Sequence, residues 1–259
     1  MMARTAAERW RQALAAWALP DSILLAATES PWIHPPELFG VPDVIDATPS
    51  HSRALEALSI GGVVLDVGCG GGVAAYALTP PAKRVIGVDS QAAMLQMFQR
   101  GAERRGVACE VIEGLWPEVA DRTPIADVVT AHHVAYNVGD VVAFLAALGT
   151  HARHRVVLEL PDRHPLTPMS DAWRHFWQLE RPTEPTPRLL CEVLAEMGIE
   201  AHREQWTSGG RAPIEPRLAA HVMRVRLCLA PEREPEVEEF MRSHPEPPIR
   251  ELSTVWWDV

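Results

Sequence analysis

Three observations predict an α/β fold built on a doubly wound, largely parallel sheet. Short apolar runs rich in β-branched residues, such as 62–67 (GVVLDV), 125–130 (IADVVT) and 155–160 (RVVLEL), read as strands buried on both faces. Between them lie stretches whose apolar residues recur at helical spacing, as Ala93, Met94, Met97 and Phe98 do over 90–104. The first strand runs straight into a cluster of glycines, Gly68, Gly70, Gly71 and Gly72, and from there into a helix start. With 259 residues, 47% of them hydrophobic and 22% charged, the chain is long enough to bury one substantial core with elaborations.

Taken from the N-terminus, Trp10, Leu14 and Trp17 predict an amphipathic helix within 3–19, which Pro20 stops. Asp21 is expected to cap a second short helix over 22–27. The proline-rich stretch 30–43 suits neither regular structure and is expected to run as a stiff extended loop. Its Trp32, His34 and Phe39 either close over a ligand as a lid or tuck against the domain. A helix over 50–58 leads into the first strand, 62–67. The glycines after it let the backbone turn sharply and a ligand lie against it, and a helix over 73–78 offers unpaired N–H groups to an anionic group. The second strand, 83–88, ends in Asp89, where a βαβ unit places an acid within reach of a ribose.

A helix over 90–104 and a third strand over 107–112 follow, then the turn Glu113, Gly114, Leu115, Trp116. The fourth strand, 125–130, runs into AHHVAYNVGD at the sheet's C-terminal edge, where open α/β folds bind ligands. A helix over 141–148 and a fifth strand over 155–160 come next. The segment 161–185 interrupts the alternation, with Trp173, Phe176, Trp177 and Leu179 on a helix begun after Ser170. A helix over 188–197, closed by Gly198, precedes a sixth strand over 199–206. Strand and helix periods compete over 218–229. The helix is preferred there, with another over 234–242, because 251–257 makes the better final strand. The expected organisation is a helical cap or lid over 1–49 and a main domain over 50–259, with inserts at about 161–185 and 208–250.

The acid-x-G-x-G-x-G spacing of Asp66, Gly68, Gly70 and Gly72, with Asp89 closing the next strand, resembles the class I S-adenosylmethionine-dependent methyltransferases. A dinucleotide fingerprint would need glycine or alanine where Val73 stands, and no Tyr-x-x-x-Lys pair is recognisable when Lys83 is the only lysine. An NAD(P)-dependent oxidoreductase is therefore the weaker reading. The resemblance covers about 50–160. It implies a Rossmann-like seven-stranded sheet with an antiparallel last strand between the fifth and sixth, S-adenosyl-L-methionine as cofactor, and methyl transfer to a small-molecule acceptor. A non-catalytic S-adenosylmethionine-binding regulatory protein is the alternative from another class.

On that resemblance the glycine loop, Cys69 included, lies under the methionine part of the cofactor with Asp66 behind it, and Asp89 followed by Ser90 holds the ribose. Arg53 is expected to reach the cofactor carboxylate. Family members often carry an acid where Leu115 stands, so the adenine contact is expected from the backbone of Gly114, from Glu113 or from Trp116, with Met94 and Ala131 nearby. His132 and His133 are adjacent, so an extended chain points one toward the cofactor side; each is a candidate general base. Tyr136, Asn137, His164, Trp173 and Trp177, with Trp32 and His34 of the loop, are the expected acceptor-binding residues.

Absences narrow the acceptor. No Asn or Asp before Pro-Pro-aromatic ends the fourth strand, as nitrogen methylation of bases and amides requires in the family, and no Pro-Cys stands there for cytosine-C5 chemistry. The stretch resembles the small-molecule type instead. The formal net charge of -10 argues against a nucleic-acid surface. Cys69, Cys109, Cys191 and Cys228 form no C-x-x-C pair, and His151 with His154 reads as solvated surface, so neither a metal site nor a disulfide framework is expected. The opening MMARTAAERWRQ lacks an apolar core with a cleavage site, and no run reaches membrane-spanning length; a cytoplasmic location without membrane partners is expected, and the oligomeric state is left open.

Overall fold

The computed structural model describes residues 4–32, 36–209, 215–245 and 249–259. Its N-terminal part holds α1 (Ala6–Ala15), α2 (Asp21–Leu24), a 3-10 turn at Pro36–Phe39 and α3 (Pro49–Glu56). Strands and helices then alternate as β1 (Val63–Val67), α4 (Val73–Tyr76), β2 (Arg84–Asp89), α5 (Ala92–Arg105), β3 (Ala108–Glu113), β4 (Ala126–His132), α6 (Val141–His151) and β5 (Ala152–Pro161). After α7 (Ser170–Trp177) come α8 (Pro187–Glu196), β6 (His202–Ser208), α9 (Pro216–Arg226), α10 (Glu234–Ser243) and β7 (Arg250–Asp258).

The seven strands form one sheet in the order β3-β2-β1-β4-β5-β7-β6. The first five are parallel, and β7 runs antiparallel between β5 and β6, as the fold class required. Each buried strand feeds two cores because successive side chains point to opposite faces. Leu65, Val67, Val129 and Leu158 meet Trp10 of α1, Leu145 of α6 and Leu190 of α8 on one face. Val64, Val85, Val128 and Val157 meet Ala54 of α3, Ala75 of α4 and Phe98 of α5 on the other.

Element boundaries moved where pairing, not periodicity, sets them. β5 begins earlier than 155 because Ala152 pairs with Ala126 of β4, so α6 runs directly into the strand and His154 lies within it rather than beside a turn. His151 ends α6 with its ring nitrogens on the Ala147 and Ala120 carbonyls, at 2.8 and 3.0 Å. β6 starts at His202, later than 199, since an exposed edge strand is bounded by its ladder with β7 and carries little apolar signal. The helical reading of 218–229 corresponds to α9, which starts with Pro216 at its first position and Glu215 accepting from the Leu218 N–H at 2.9 Å. α2 is shorter than expected, and Asp21 is its first residue with Pro20 in the cap position and no side-chain cap.

The N-terminal residues join two different cores. Trp10 of α1 is fully buried in the sheet core and donates its indole N–H to the Val138 carbonyl at 2.9 Å. Leu19 and Ile23, in contrast, join Met169, Trp173, Leu227, Leu229, Val237 and Phe240 in a third core, which unites the start of the chain with both inserts. Arg224 of α9, 2% exposed along its side chain, clasps this assembly by ion pairs to Glu29 and to Glu234 of α10 and by a 2.9 Å hydrogen bond to the Leu229 carbonyl. Among the described residues no helix is long and apolar enough to cross a membrane. Arg224→Ala leaves a half-covered pair of carboxylates facing a void and should lower the unfolding free energy by about 3 kcal/mol, read as a fall in the urea midpoint.

Candidate active site

Strand order reverses between β1 and β4, so the connections leaving their C-terminal ends diverge and open a crevice. The glycine loop sits at that place. Gly68, Gly70 and Gly72 adopt φ values of 68°, 50° and 101°, a region that side chains disfavour, which is why glycine recurs at every second position. Gly71 serves a different contact: a Cβ there would lie 2.1 Å from the Phe39 carbonyl oxygen. The end of the 3-10 turn therefore lies directly on the loop, and among the described aromatics of 30–43 Phe39 is the one at the site. Trp32 is 56% exposed, and His34 falls outside the described residues.

Asp89 ties the loop to β2. Its Oδ2 accepts the Gly70 N–H at 3.0 Å and its Oδ1 the Gln91 N–H at 2.9 Å, leaving each oxygen a further lone pair for a ligand hydroxyl. Gly114 donates its N–H to the Asp89 carbonyl at 3.0 Å and brings the turn after β3 alongside. Leu115 on this turn is 58% exposed, an uncovered apolar surface beside the acid. Ser90 and Glu113 are exposed on the same rim. α4 is a single turn, so an anion at the loop would meet individual N–H groups more than a developed helix dipole.

Asp66 faces the same side of the sheet beneath the loop. Its Oδ1 accepts the Thr130 hydroxyl of β4 at 3.0 Å, while Oδ2 is buried without a partner among the described residues. Burial raises this carboxyl to about 7, opposed by the Thr130 hydroxyl and by the Ala75 backbone N–H, with the neighbouring Asp89 charge adding to the rise. The orphaned oxygen and the open lone pairs of Asp89 fit a ligand that brings cationic or N–H donors to the loop and hydroxyls to the end of β2. They fit an adenosyl sulfonium amino acid.

Several expected contacts are placed elsewhere. Met94 is 1% exposed in the core under α5, and Trp116 is buried, its indole donating to the Phe144 carbonyl at 3.4 Å and its ring edge-on to His151, so neither presents a face to an adenine. Cys69 and Ala131 are buried, with Cys69 turned toward Gly87 and Phe98 rather than the crevice. Arg53 pairs with Glu204 at 2.8 Å and Glu56 at 2.7 Å and stacks on Trp256, away from the glycine loop. Its stronger pull is the carboxylate pair across the β6 edge.

The aromatic acceptor wall also closes on itself. Tyr136 is buried, donates to the Pro161 carbonyl at 2.7 Å and stacks on Trp10. His164 is sandwiched on Trp17 at 3.9 Å between ring centroids, and burial, helped by Arg181, lowers it to about 4. Trp173 is 2% exposed and Trp177 donates to the Leu227 carbonyl at 2.7 Å; both belong to the third core. Asn137 is exposed. Packing wins over a pocket because the N-terminal tryptophans fill the space the insert leaves.

At the C-terminal ends of β4 and β5 the chain assembles a polar group that the sequence reading only half found. His132 pairs in register with Glu159. Continuing the β1–β4 register by two places sets His132 beside Gly68, so this row stands at the level of the loop. Glu159 is 6% exposed; the His133 Nε2 lies 3.1 Å from its Oε1, and the Thr48 hydroxyl donates to its Oε2 at 3.4 Å. His51 of α3 is buried and stacks on the His132 ring at 5.8 Å, its Nδ1 accepting the Thr48 N–H at 3.3 Å. Burial lowers His132 to about 4, only partly offset by the Glu159 charge, and lowers His51 as well. Burial works to raise Glu159, but the two imidazoles and a Ser50 hydrogen bond outweigh it and hold the carboxyl well below its usual range. Glu159 was missed, although a lone acid inside the apolar run VVLELP was the signal. A surface depression of about 670 Å³, lined by Leu145, Gly149, Ile199, Trp257 and Val259, lies at the opposite end of the sheet and carries none of these groups.

Comparison with known proteins agrees with this geometry. Residues 64–154 match the family model described as a methyltransferase domain. The chain is 35% identical over 118 residues to a ubiquinone biosynthesis O-methyltransferase of Azorhizobium caulinodans, 45% of this chain and 46% of that protein. It is 36% identical over 96 residues to a ribosomal protein L11 methyltransferase of Vibrio campbellii, 36% of this chain and 32% of that protein. The chain thus spans about half the length, or less, of these curated relatives. In fold it is similar to the YcgJ protein of Bacillus subtilis, with a TM-score of 0.54 and 17% identity over 81% of this chain and 97% of that one.

A group whose folded-state value is raised stabilises the fold at low pH and loses that contribution as pH rises. For Asp66 the contribution is complete below the ordinary carboxyl value near 4 and gone above about 7. Asp66→Asn, which stays neutral, should therefore be more stable than the unsubstituted protein by on the order of 3 kcal/mol at pH 8, the gap shrinking as pH falls from 7 to 4 in a series of urea melts.

Proposed function

We propose that this chain, whose residues 64–154 match a methyltransferase-domain model, is a class I S-adenosylmethionine-dependent methyltransferase that acts on a small-molecule acceptor held at the C-terminal ends of β4 and β5. The observation that carries this reading is the Asp89 carboxylate, fixed over the glycine loop by the Gly70 N–H with lone pairs to spare. S-adenosylmethionine, when bound, supplies a methyl carbon already made electrophilic by the sulfonium. The residues of this chain then bind, orient and shield.

Asp89 would hold the ribose hydroxyls, the loop 68–72 would lie under the methionine part, and Asp66 would offer its unpartnered oxygen to the cationic end. Exposed Leu115 would take the adenine face that Trp116 and Met94 are too buried to reach. The Phe39 segment, resting on Gly71, would exclude water from the loop. An acceptor positioned against this end needs only alignment with the methyl group, which by itself removes much of the barrier.

A small acceptor is supported by the relative named for ubiquinone biosynthesis and by the formal charge of -10, which disfavours polyanions. The relative named for a ribosomal protein matches over about a third of its length, against 46% for the relative named for ubiquinone biosynthesis. In titration calorimetry, S-adenosylmethionine and S-adenosylhomocysteine should bind at micromolar levels while NADH does not. Asp89→Ala should weaken the adenosyl ligands by about 2 kcal/mol, roughly thirtyfold, through the loss of two buried hydrogen bonds. Unchanged affinity in that variant, or preferential NADH binding, would remove the cofactor assignment.

A further inference from the structure

We propose that His133 and Glu159 form a dyad that takes the proton from a hydroxyl acceptor, His133 as the catalytic base and Glu159 as the positioning residue. The proposal rests on the methyltransferase reading above and names the acceptor's attacking atom as a hydroxyl oxygen, neutral at pH 7.

The geometry holds His133 at two points from one residue. Its Nε2 lies 3.1 Å from the Glu159 Oε1, and its backbone N–H donates to the Glu159 carbonyl at 2.7 Å. These contacts keep a non-glycine residue at φ 62°, a conformation that side chains disfavour and that is retained where the surroundings over-determine it. The next residue, Val134, packs on the glycine loop, where a Cβ on Gly68 would come within 2.4 Å of its side chain. The strained histidine therefore stands at the edge of the crevice.

The nearby carboxylate favours the neutral ring's proton on Nε2, which makes Nδ1 the nitrogen left with a lone pair, on a side chain 42% exposed. His132 lacks that arrangement. Its Nδ1 is 3.9 Å from Glu159, beyond hydrogen-bond range, its side chain is 11% exposed, and its ring is stacked against His51. The groups facing the dyad are His132 of β4, the Thr48 and Ser50 hydroxyls and His51 at the start of α3, and Thr254 of β7, which meets the Ser50 hydroxyl at 2.7 Å. Among these described groups Glu159 is the one carboxylate, buried to 6% exposure, and a buried carboxylate is stable only with donors committed to it.

In the step, the acceptor hydroxyl passes its proton to Nδ1 of His133 while its oxygen forms the bond to the methyl carbon. The S–CH3 bond breaks and its electron pair stays on sulfur, which becomes a neutral thioether. The imidazolium formed is stabilised by Glu159 until its proton leaves to water. An acceptor already ionised would not need this arrangement.

Two readouts test the dyad. Nitrogen NMR of the imidazoles should show His133 as the Nε2–H tautomer, and Glu159→Gln should abolish that preference. With catechol and related dihydroxybenzenes as probes, Glu159→Gln and His133→Gln should each lower kcat by about a hundredfold, with S-adenosylhomocysteine affinity within about twofold of the unsubstituted protein. The double variant should be no slower than either alone, since the two act as one unit. Circular dichroism melts check the fold of Glu159→Gln, and His133→Gln, at a more exposed site, carries the same test if that variant is unstable. An Nδ1–H tautomer, full kcat in either variant, or no methylation of any probe by a protein that binds S-adenosylhomocysteine overturns the proposal. Failure to bind S-adenosylhomocysteine at all overturns the reading beneath it instead.

Discussion

The hydrogen bond from Gly70 N–H to Asp89 is the constraint on which the site depends. It joins the end of β1 to the end of β2 across the loop, and it can form only because the glycines accept positive φ without a Cβ penalty. Once the loop is held there, Gly71 presents a bare backbone edge for the Phe39 segment, Gly68 accepts Val134 from the turn after β4, and the turn after β3 is drawn in by Gly114. Four chain segments thus converge on these few residues.

Polar groups within the core follow from the same sheet. Asp66, Thr130, His132, Glu159 and Thr254 alternate with apolar residues and share the face that α3 covers. A row of this kind in an interior costs free energy unless each member finds a partner. Most do: Thr130 with Asp66, Ser50 with Thr254, and Glu159 with His133 and Thr48. Asp66 Oδ2 and His132 Nε2 find no hydrogen-bond partner among the described residues, and both lie at the crevice end of their strands. That is where a cost in stability is commonly exchanged for binding or chemistry.

The accessory elements divide by what they bury. α1 completes a sheet face, while α2 and the helices of both inserts make a separate apolar assembly with Arg224 clasping its edge. The aromatic side chains that a sequence reading assigns to an acceptor wall are consumed in these contacts, above all His164 and Tyr136 between Trp17 and Trp10. Tryptophans bury large areas, so a remote tryptophan that can reach a cluster outcompetes a small ligand for the same surface.

The amino-acid sequence alone determined the strand and helix alternation, the glycine loop and Asp89, because each is written in local chemistry: apolar period, missing Cβ atoms, an acid at a strand end; the direction of the last strand came only from the family resemblance. Only the tertiary structure decided which side chains face one another. Thr48 meets Glu159 from 111 residues away, Arg53 is drawn to Glu204 from 151, and Trp116 and Met94 turn into the core although their neighbours in sequence stand at the rim. Position along a strand fixes the face a side chain takes, but its partner depends on which helix is laid across that face. That choice is made by packing over the whole sheet, and no short stretch of residues records it.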